Sequence, residues 1–348
     1  MNRISLVVIA IICVGCGRID PPRYQGLTFL GDGKQIFAVY SKPGSAFIYK
    51  IPLDTGRAVR FTGATKVFEG VPAFSADGKY VAYTETLTEK GANPRIVLAN
   101  SDGSDPHPLT SSEHAAWPLF SLDNKTLIFA RYGYFGNYDG FAHPHAHEWD
   151  FYASDLDGTN VRQLTNENSY STSRPSLSSD GTNIAFIGQE LDSAQRNEIE
   201  ARYKDTPADF ASHFAQINAE AITIYSLEQP PKPRRVFKPH VDGEPSSGPK
   251  FVDPVLLPDG ENILFLAAAT EPSGPFDYEV FRMNLQTQEI VKLTNRNGYA
   301  YSLRVSSNGK TAAFVRQEWH DGQPGNSAIF LLDLASGRVS PFRITGIE

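Results

Sequence analysis

Six times along the chain an apolar segment runs into a tight turn and out again into a second apolar segment. The copies are LTFLGDGKQIFAVY at 27–40, PAFSADGKYVAYTE at 72–85 and PLFSLDNKTLIFAR at 118–131, then PSLSSDGTNIAFIG at 175–188, PVLLPDGENILFLA at 254–267 and LRVSSNGKTAAFVR at 303–316. The turns carry Asp-Gly, Asp-Asn or Asn-Gly, dipeptides that tolerate positive φ in a two-residue hairpin. The outgoing segment, such as Tyr80-Val81-Ala82-Tyr83, is apolar on both faces, as a buried central strand must be. A second pair of strands follows each hairpin, for example PRIVLANSDGSDPHPLT at 94–110 and YEVFRMNLQTQEIVKLT at 278–294, often closing on Leu-Thr.

The repeating unit is therefore four antiparallel strands. Its turn residues stand at 32, 77, 123, 180, 259 and 308, giving spacings of 45, 46, 57, 79 and 49. The shortest approach the roughly 40–45-residue period of a propeller blade, and the excess in the longer ones is insertion. One four-stranded sheet cannot cover its own two faces, whereas radial packing of several covers them all. The expectation is an all-β, six-bladed β-propeller of four-stranded antiparallel blades over residues 23–345. Its fourth blade carries a helical insertion at about 190–220, where Asp192 with Gln195 makes a capping box and Thr206-Pro207 with Asp209 starts a second helix. A β-sandwich or open solenoid would not explain the regular grouping by four.

Composition agrees. A hydrophobic content of 41% with 11% aromatic residues supports a real core, and 28 glycines and 24 prolines spread along the chain supply many turns. A formal charge of −7 excludes the basic face that a nucleic-acid partner requires. A monomer is expected.

The first residues, MNRISLVVIAIICVGCG, have a basic Arg3, an apolar run from Ile4 to Val14 too short to span a bilayer, and then Val14-Gly15-Cys16. This resembles a bacterial lipoprotein signal. The resemblance implies removal of residues 1–15, lipidation of Cys16 and a tether over 16–22, with membrane attachment through the lipid. Gly17 in place of an Asp directs the expectation to the periplasmic face of the outer membrane. The only cysteines are Cys13 and Cys16, so the processed chain could form no internal disulfide.

The repeats resemble the TolB-like β-propeller family through Pro72-Ala73-Phe74-Ser75-Ala76-Asp77-Gly78, Phe151-Tyr152 and the closing Leu164-Thr165. The resemblance implies the fold over essentially residues 23–345, and envelope partners such as a peptidoglycan-associated lipoprotein. Prolyl oligopeptidase-type enzymes pair a related propeller with a serine hydrolase domain, but no Gly-x-Ser-x-Gly stands in this sequence.

Within each repeat, with strands named a to d, the a–b and c–d turns share one face and the b–c and d–a loops the other. His114 and His240 fall in d–a loops, and His143, His145, His147, His213 and His320 in b–c segments. Only His107 lies opposite, so seven of eight histidines share a face with Trp117, Trp149 and Trp319.

On that face FAHPHAHEWDFY at 141–152 alternates His143, His145 and His147. In an extended segment these three point the same way and could converge on a divalent metal such as Zn²⁺ or Mn²⁺. Asp150 matches an acidic position of the family motif and reads as structural. Tyr132, Tyr134 and Trp149, with His114 and His320, read as a ligand-binding rim, since aromatic rings stack on sugars or peptides while imidazoles fix hydroxyls.

Two functions follow. One is a non-catalytic scaffold of the cell envelope that holds a protein or glycan on the loop-rich face. The alternative resembles oligogalacturonate lyase: a metal held by His143, His145 and His147 would neutralise a sugar carboxylate while His114 or His320 takes a proton.

Overall fold

The computed structural model describes residues 22–347 except 32, 90–91, 110–113, 137–144, 171, 190, 193, 196, 199–200, 202–219, 229–233, 241–250, 269–277, 296–297 and 321–322. Of residues 136, 145, 319, 320, 323 and 324 the backbone alone is described. The leader, Cys16 and nearly all of the tether lie outside this range. Among the described residues no helix is long and apolar enough to cross a membrane.

The hairpin turns are wider than the two-residue form expected, because side chains brace them. Ser75 pairs with Tyr80 across residues 76–79: its N–H donates to the Tyr80 carbonyl at 3.0 Å and its Oγ accepts the Tyr80 N–H at 2.9 Å. The same hydroxyl donates to Asp77 Oδ1 at 2.7 Å, and that oxygen also accepts the Lys79 N–H at 3.1 Å. Ser121–Asp123, Ser178–Asp180 and Ser306–Asn308 repeat this bond at 2.6, 2.5 and 2.8 Å. Only the residue after the Asp or Asn needs positive φ, as Gly78 (70°), Asn124 (58°) and Gly309 (68°) provide.

Every described strand that the repeats anticipate then pairs antiparallel with its neighbour. Four separate four-stranded sheets follow in chain order. They begin at the inner strands Ala115–Phe120, Ser176–Leu177, Phe251–Leu256 and Tyr299–Val305. The sheet before them has nine strands. It holds two antiparallel runs of four, one from Arg23–Phe29 to Val59–Arg60 and one from Ala73–Phe74 to His107–Pro108. Between the runs lies Val67–Glu69, which meets the first through a parallel bridge, Ala46 to Phe68, and the second along Tyr80–Leu87.

Apolar faces of successive four-strand units interleave. Ile48 and Val39 pack with Val81 and Val97, Leu98 with Leu127 and Phe129, and Phe151 meets Phe186 at 4.6 Å. Ile222 and Ile224 pack with Phe265, Leu264 with Leu303 and Phe314, and Val315 and Ile329 return to Leu27 and Ile36. The ring thus closes on itself. Main-chain bonds seal the seam: Ala58 N–H to Thr345 O at 2.8 Å and Thr345 N–H to Gly56 O at 3.0 Å. Each fully buried Phe or Ile contributes roughly 1.5–3 kcal/mol, which is how the described residues, none of them cysteine, hold a toroid together.

The recurring Leu-Thr also has a cause. Thr165 Oγ1 donates to Asp150 at 2.7 Å while accepting the Phe151 N–H at 2.9 Å. Thr294 bonds Glu279 and accepts the Val280 N–H at 3.0 Å. The threonine after the outer strand is tied to an acid within the third strand, so the structural reading of Asp150 is correct.

The helical insertion is not supported. Asp192 and Gln195 do exchange their capping bonds, at 3.0 and 2.8 Å, but the described helical residues there are only 194, 195, 197, 198 and 201. The second helix expected from Thr206 lies outside the described residues.

Candidate functional site

The strands around the histidine stretch are longer than those of most units. Thr126–Gly136 and His145–Asp155 have 11 residues each, whereas Tyr80–Leu87 has 8 and Asn183–Gln189 and Asn262–Ala268 have 7. The extra residues carry this hairpin about 10 Å further at ~3.3 Å per residue. Segment 145–147 is therefore extended, as metal binding by alternate histidines would need. His320 likewise sits at a hairpin end, paired with Gln323 on the same loop-bearing face.

Rings on this hairpin form a continuous wall. His114 stacks on Tyr132 at 4.8 Å and 14°, and Tyr132 meets Trp149 edge-on at 5.2 Å. Trp149 in turn stacks on Trp117 at 5.0 Å and 24°. The Trp149 indole N–H is satisfied by the Ala146 carbonyl at 3.0 Å. Tyr132, Trp117 and Trp149 are buried, and burial pushes the Tyr132 hydroxyl up to about 12. Tyr134 and Phe135, at 46% and 44% exposure, are the rings that reach solvent. Of the expected rim, then, Tyr134 stands open, His114 is half-buried, and Tyr132 and Trp149 are the wall behind them.

Backbone strain gathers here too. His114 (φ 61°), Trp117 (55°) and Glu148 (60°) hold left-handed conformations in or beside strands of one sheet. Glu148 is tolerated because Gly133 faces it: a Cβ at 133 would lie 2.7 Å from Glu148 Oε2.

His147 is enclosed. It is 1% exposed, with its ring 4.5 Å from that of Tyr170 and 6.2 Å from that of Tyr134, and Nδ1 3.4 Å from the Tyr170 carbonyl. Among the described residues no group of three His, Cys, Asp or Glu converges. His143 lies outside the described residues, and the side chains of His145 and His320 are not described. Of the three expected ligands, only His147 has a described side chain, and its described neighbours are the rings of Tyr134 and Tyr170.

Trp117 carries the wall onto the inner strand Ala115–Phe120. It stands six residues before its turn, as do Gly26, Val71, Arg174, Asp253 and Ser302 in the other repeats. Pairing of the inner strand slips at this point after Tyr24, Ala116, Val252 and Tyr301, and Trp117, Asp253 and Ser302 all have positive φ. All but Trp117 approach one another between repeats. A Cβ on Gly26 would fall 2.1 Å from Val71 Cγ2 and 3.4 Å from Ser302 Oγ. Arg174 reaches over to donate to the Leu27 and Pro72 carbonyls at 3.0 and 2.9 Å. Asp253 Oδ2 accepts the Ser302 N–H at 2.5 Å and Oδ1 lies 3.5 Å from Arg304.

Arg174, Asp253, Ser302 and Arg304 had no place in the sequence reading. Counting back a fixed six residues from each turn would have found three of the four.

No protein-family model and no curated relative matches the chain. Among solved structures it is similar to TolB from Acinetobacter baumannii, at 16% identity over 84% of this chain and 58% of that one, with a TM-score of 0.55. Putative TolB from Agrobacterium tumefaciens is similar at 16% identity, 84% and 87% coverage and a TM-score of 0.51. Oligogalacturonate lyase in complex with manganese is similar at 12% identity, 91% and 78% coverage and a TM-score of 0.52. The chain spans little more than half of the A. baumannii protein. At such identities the likeness concerns the backbone, and with the closed ring of antiparallel sheets it establishes a β-propeller fold similar to that of TolB.

Proposed function

We propose that this protein is a lipid-anchored, six-bladed propeller of the cell envelope that acts as a non-catalytic scaffold, binding a protein or glycan on its loop-bearing face. The observation that carries the reading is the aromatic wall, which runs from Trp117 on the inner strand through Trp149 and Tyr132 to Phe135 in solvent, with exposed Tyr134 stacked on His147 beside it. Buried, stacked rings hold the exposed pair at low conformational cost, as suits a surface that binds by stacking. The blade count is supported by the two four-strand runs of the nine-stranded sheet, each matching one sequence repeat. The envelope location and the periplasmic face of the outer membrane rest on the leader, with Cys16 as the lipidated residue, and on the likeness to TolB.

The test places a photocrosslinking amino acid at Phe135 in cells, with a control at Val59, which is 58% exposed on an outer strand. In parallel, tryptophan fluorescence of the full-length chain in detergent is titrated with soluble peptidoglycan fragments. A defined protein adduct from position 135 and not 59, or a saturable fluorescence change abolished by Tyr134→Ser with Phe135→Ser, is the expected result. Neither signal, with the double variant indistinguishable from wild type, would remove the proposal.

A further inference from the structure

Where inner strands of different repeats approach one another, a buried charge cluster does not balance among the described residues. Arg174 and Arg304 are each 8% exposed, and a guanidinium stays protonated even when burial and a second cation oppose it, as they do here for Arg174 beside Arg304. The acceptors of Arg174 are the neutral carbonyls of Leu27 and Pro72. Arg304 donates to the Leu303 carbonyl and pairs with Asp253. Asp253 is the one carboxylate among the described residues that acts on either arginine. Two cations thus share one anion in the interior of a chain whose overall charge is −7.

Each guanidinium carries five N–H donors, more than these acceptors use. Ser302 Oγ accepts the Leu27 N–H at 2.9 Å, so its own proton remains to donate. An uncompensated buried charge is expensive, whereas one bound anion neutralises it and uses the spare donors. We propose that this cluster binds one monoanion, a carboxylate or a halide, against Arg174 and Arg304. This does not depend on what the aromatic wall holds.

The experiment uses the full-length chain in detergent in a halide-free buffer, with chloride as probe and the ³⁵Cl NMR linewidth as readout. Wild type should show a saturable excess linewidth. Arg304→Met leaves Arg174 balanced by Asp253, and should weaken chloride at least about tenfold. Asp253→Asn raises the excess positive charge, and should tighten chloride by about the same factor. Opposite signs cannot come from general loosening of the fold, and the second variant serves alone if the first does not fold. Acetate that narrows the line in competition identifies a carboxylate-accepting site, and a line unmoved by acetate identifies a halide site. No saturable excess in wild type, or variants that leave it unchanged or shift it in the same direction, would overturn the inference.

Discussion

Asp150→Ala should be among the most damaging single changes near the candidate site, and the structure sets its size. Oδ1 accepts the Thr165 hydroxyl at 2.7 Å and the Glu167 N–H at 2.6 Å, both buried. Oδ2 accepts Asn168 N–H and Gln163 Nε2, each at 3.2 Å and each from an exposed residue. Alanine strands the first two donors and leaves the second two to water. A buried donor without a partner costs about 1–3 kcal/mol, and bonds to a charged acceptor lie at the upper end, so the total is about 3–5 kcal/mol. Asp150→Asn keeps one oxygen for Thr165 and Glu167 and turns its amide toward two exposed donors. It should cost about 1–2 kcal/mol. Urea unfolding followed by circular dichroism measures both. The loss should also speed hydrogen exchange at Trp149 and Ser169, whose amides bond each other's carbonyls at 2.9 Å and anchor the segment leading to Tyr170 over His147. A folded Asp150→Ala within about 0.5 kcal/mol of wild type would refute the reasoning, as would an asparagine variant equally unstable.

Gly26→Ala forces a methyl to within 2.1 Å of Val71 Cγ2, and should lower stability by about 1–3 kcal/mol in the same assay. Val71→Ala added to it should recover part of that loss. Burial raises the Glu69 carboxyl despite bonds from Thr62 and Ile48, so the folded state holds this proton more tightly than the unfolded chain. Stability from this group therefore falls as pH rises from the ordinary glutamate range through the raised value, and Glu69→Gln should remove that slope in urea midpoints taken across pH. The turn aspartates Asp77, Asp123 and Asp180 run the other way. Hydroxyls of Ser75, Ser121 and Ser178 hold their carboxyls below the usual range, so their contribution is present at neutral pH and lost as pH falls through the lowered values. Asp180→Asn should lower stability slightly at neutral pH and remove this acid-dependent loss, because an asparagine makes the same turn bonds without the charge, as Asn308 does in the last repeat.

The four-stranded unit, its turns and its buried second strands were legible because each depends on contacts a few residues apart. A Ser, an Asp and a Gly within four positions brace one turn, and an apolar run of period-independent character marks a central strand. The Leu-Thr and Asp150 pairing was also readable, as a recurring position with an acid opposite. The extended form of 145–147 was a condition of the histidine reading, and the strand His145–Asp155 supplies it. The width of the turns was not legible, since it is the serine hydroxyl that widens them, and the helical character of 190–220 could not be carried from one capping box to a whole insertion.

Function-bearing detail belonged to longer range. Burial of Trp149 and Tyr132 in one ring stack, and the Tyr170 ring 4.5 Å from that of His147, come from tertiary packing. Arg174, Asp253 and Ser302 lie in three different repeats, separated by 79 and 49 residues. Nothing local brings them together. The sequence by itself determined the repeating strand unit, because hydrogen bonds and hydrophobic periodicity act between near neighbours. Only closure of the ring decided which side chain from each unit meets the others at the axis, because that meeting depends on where the first and last sheets join.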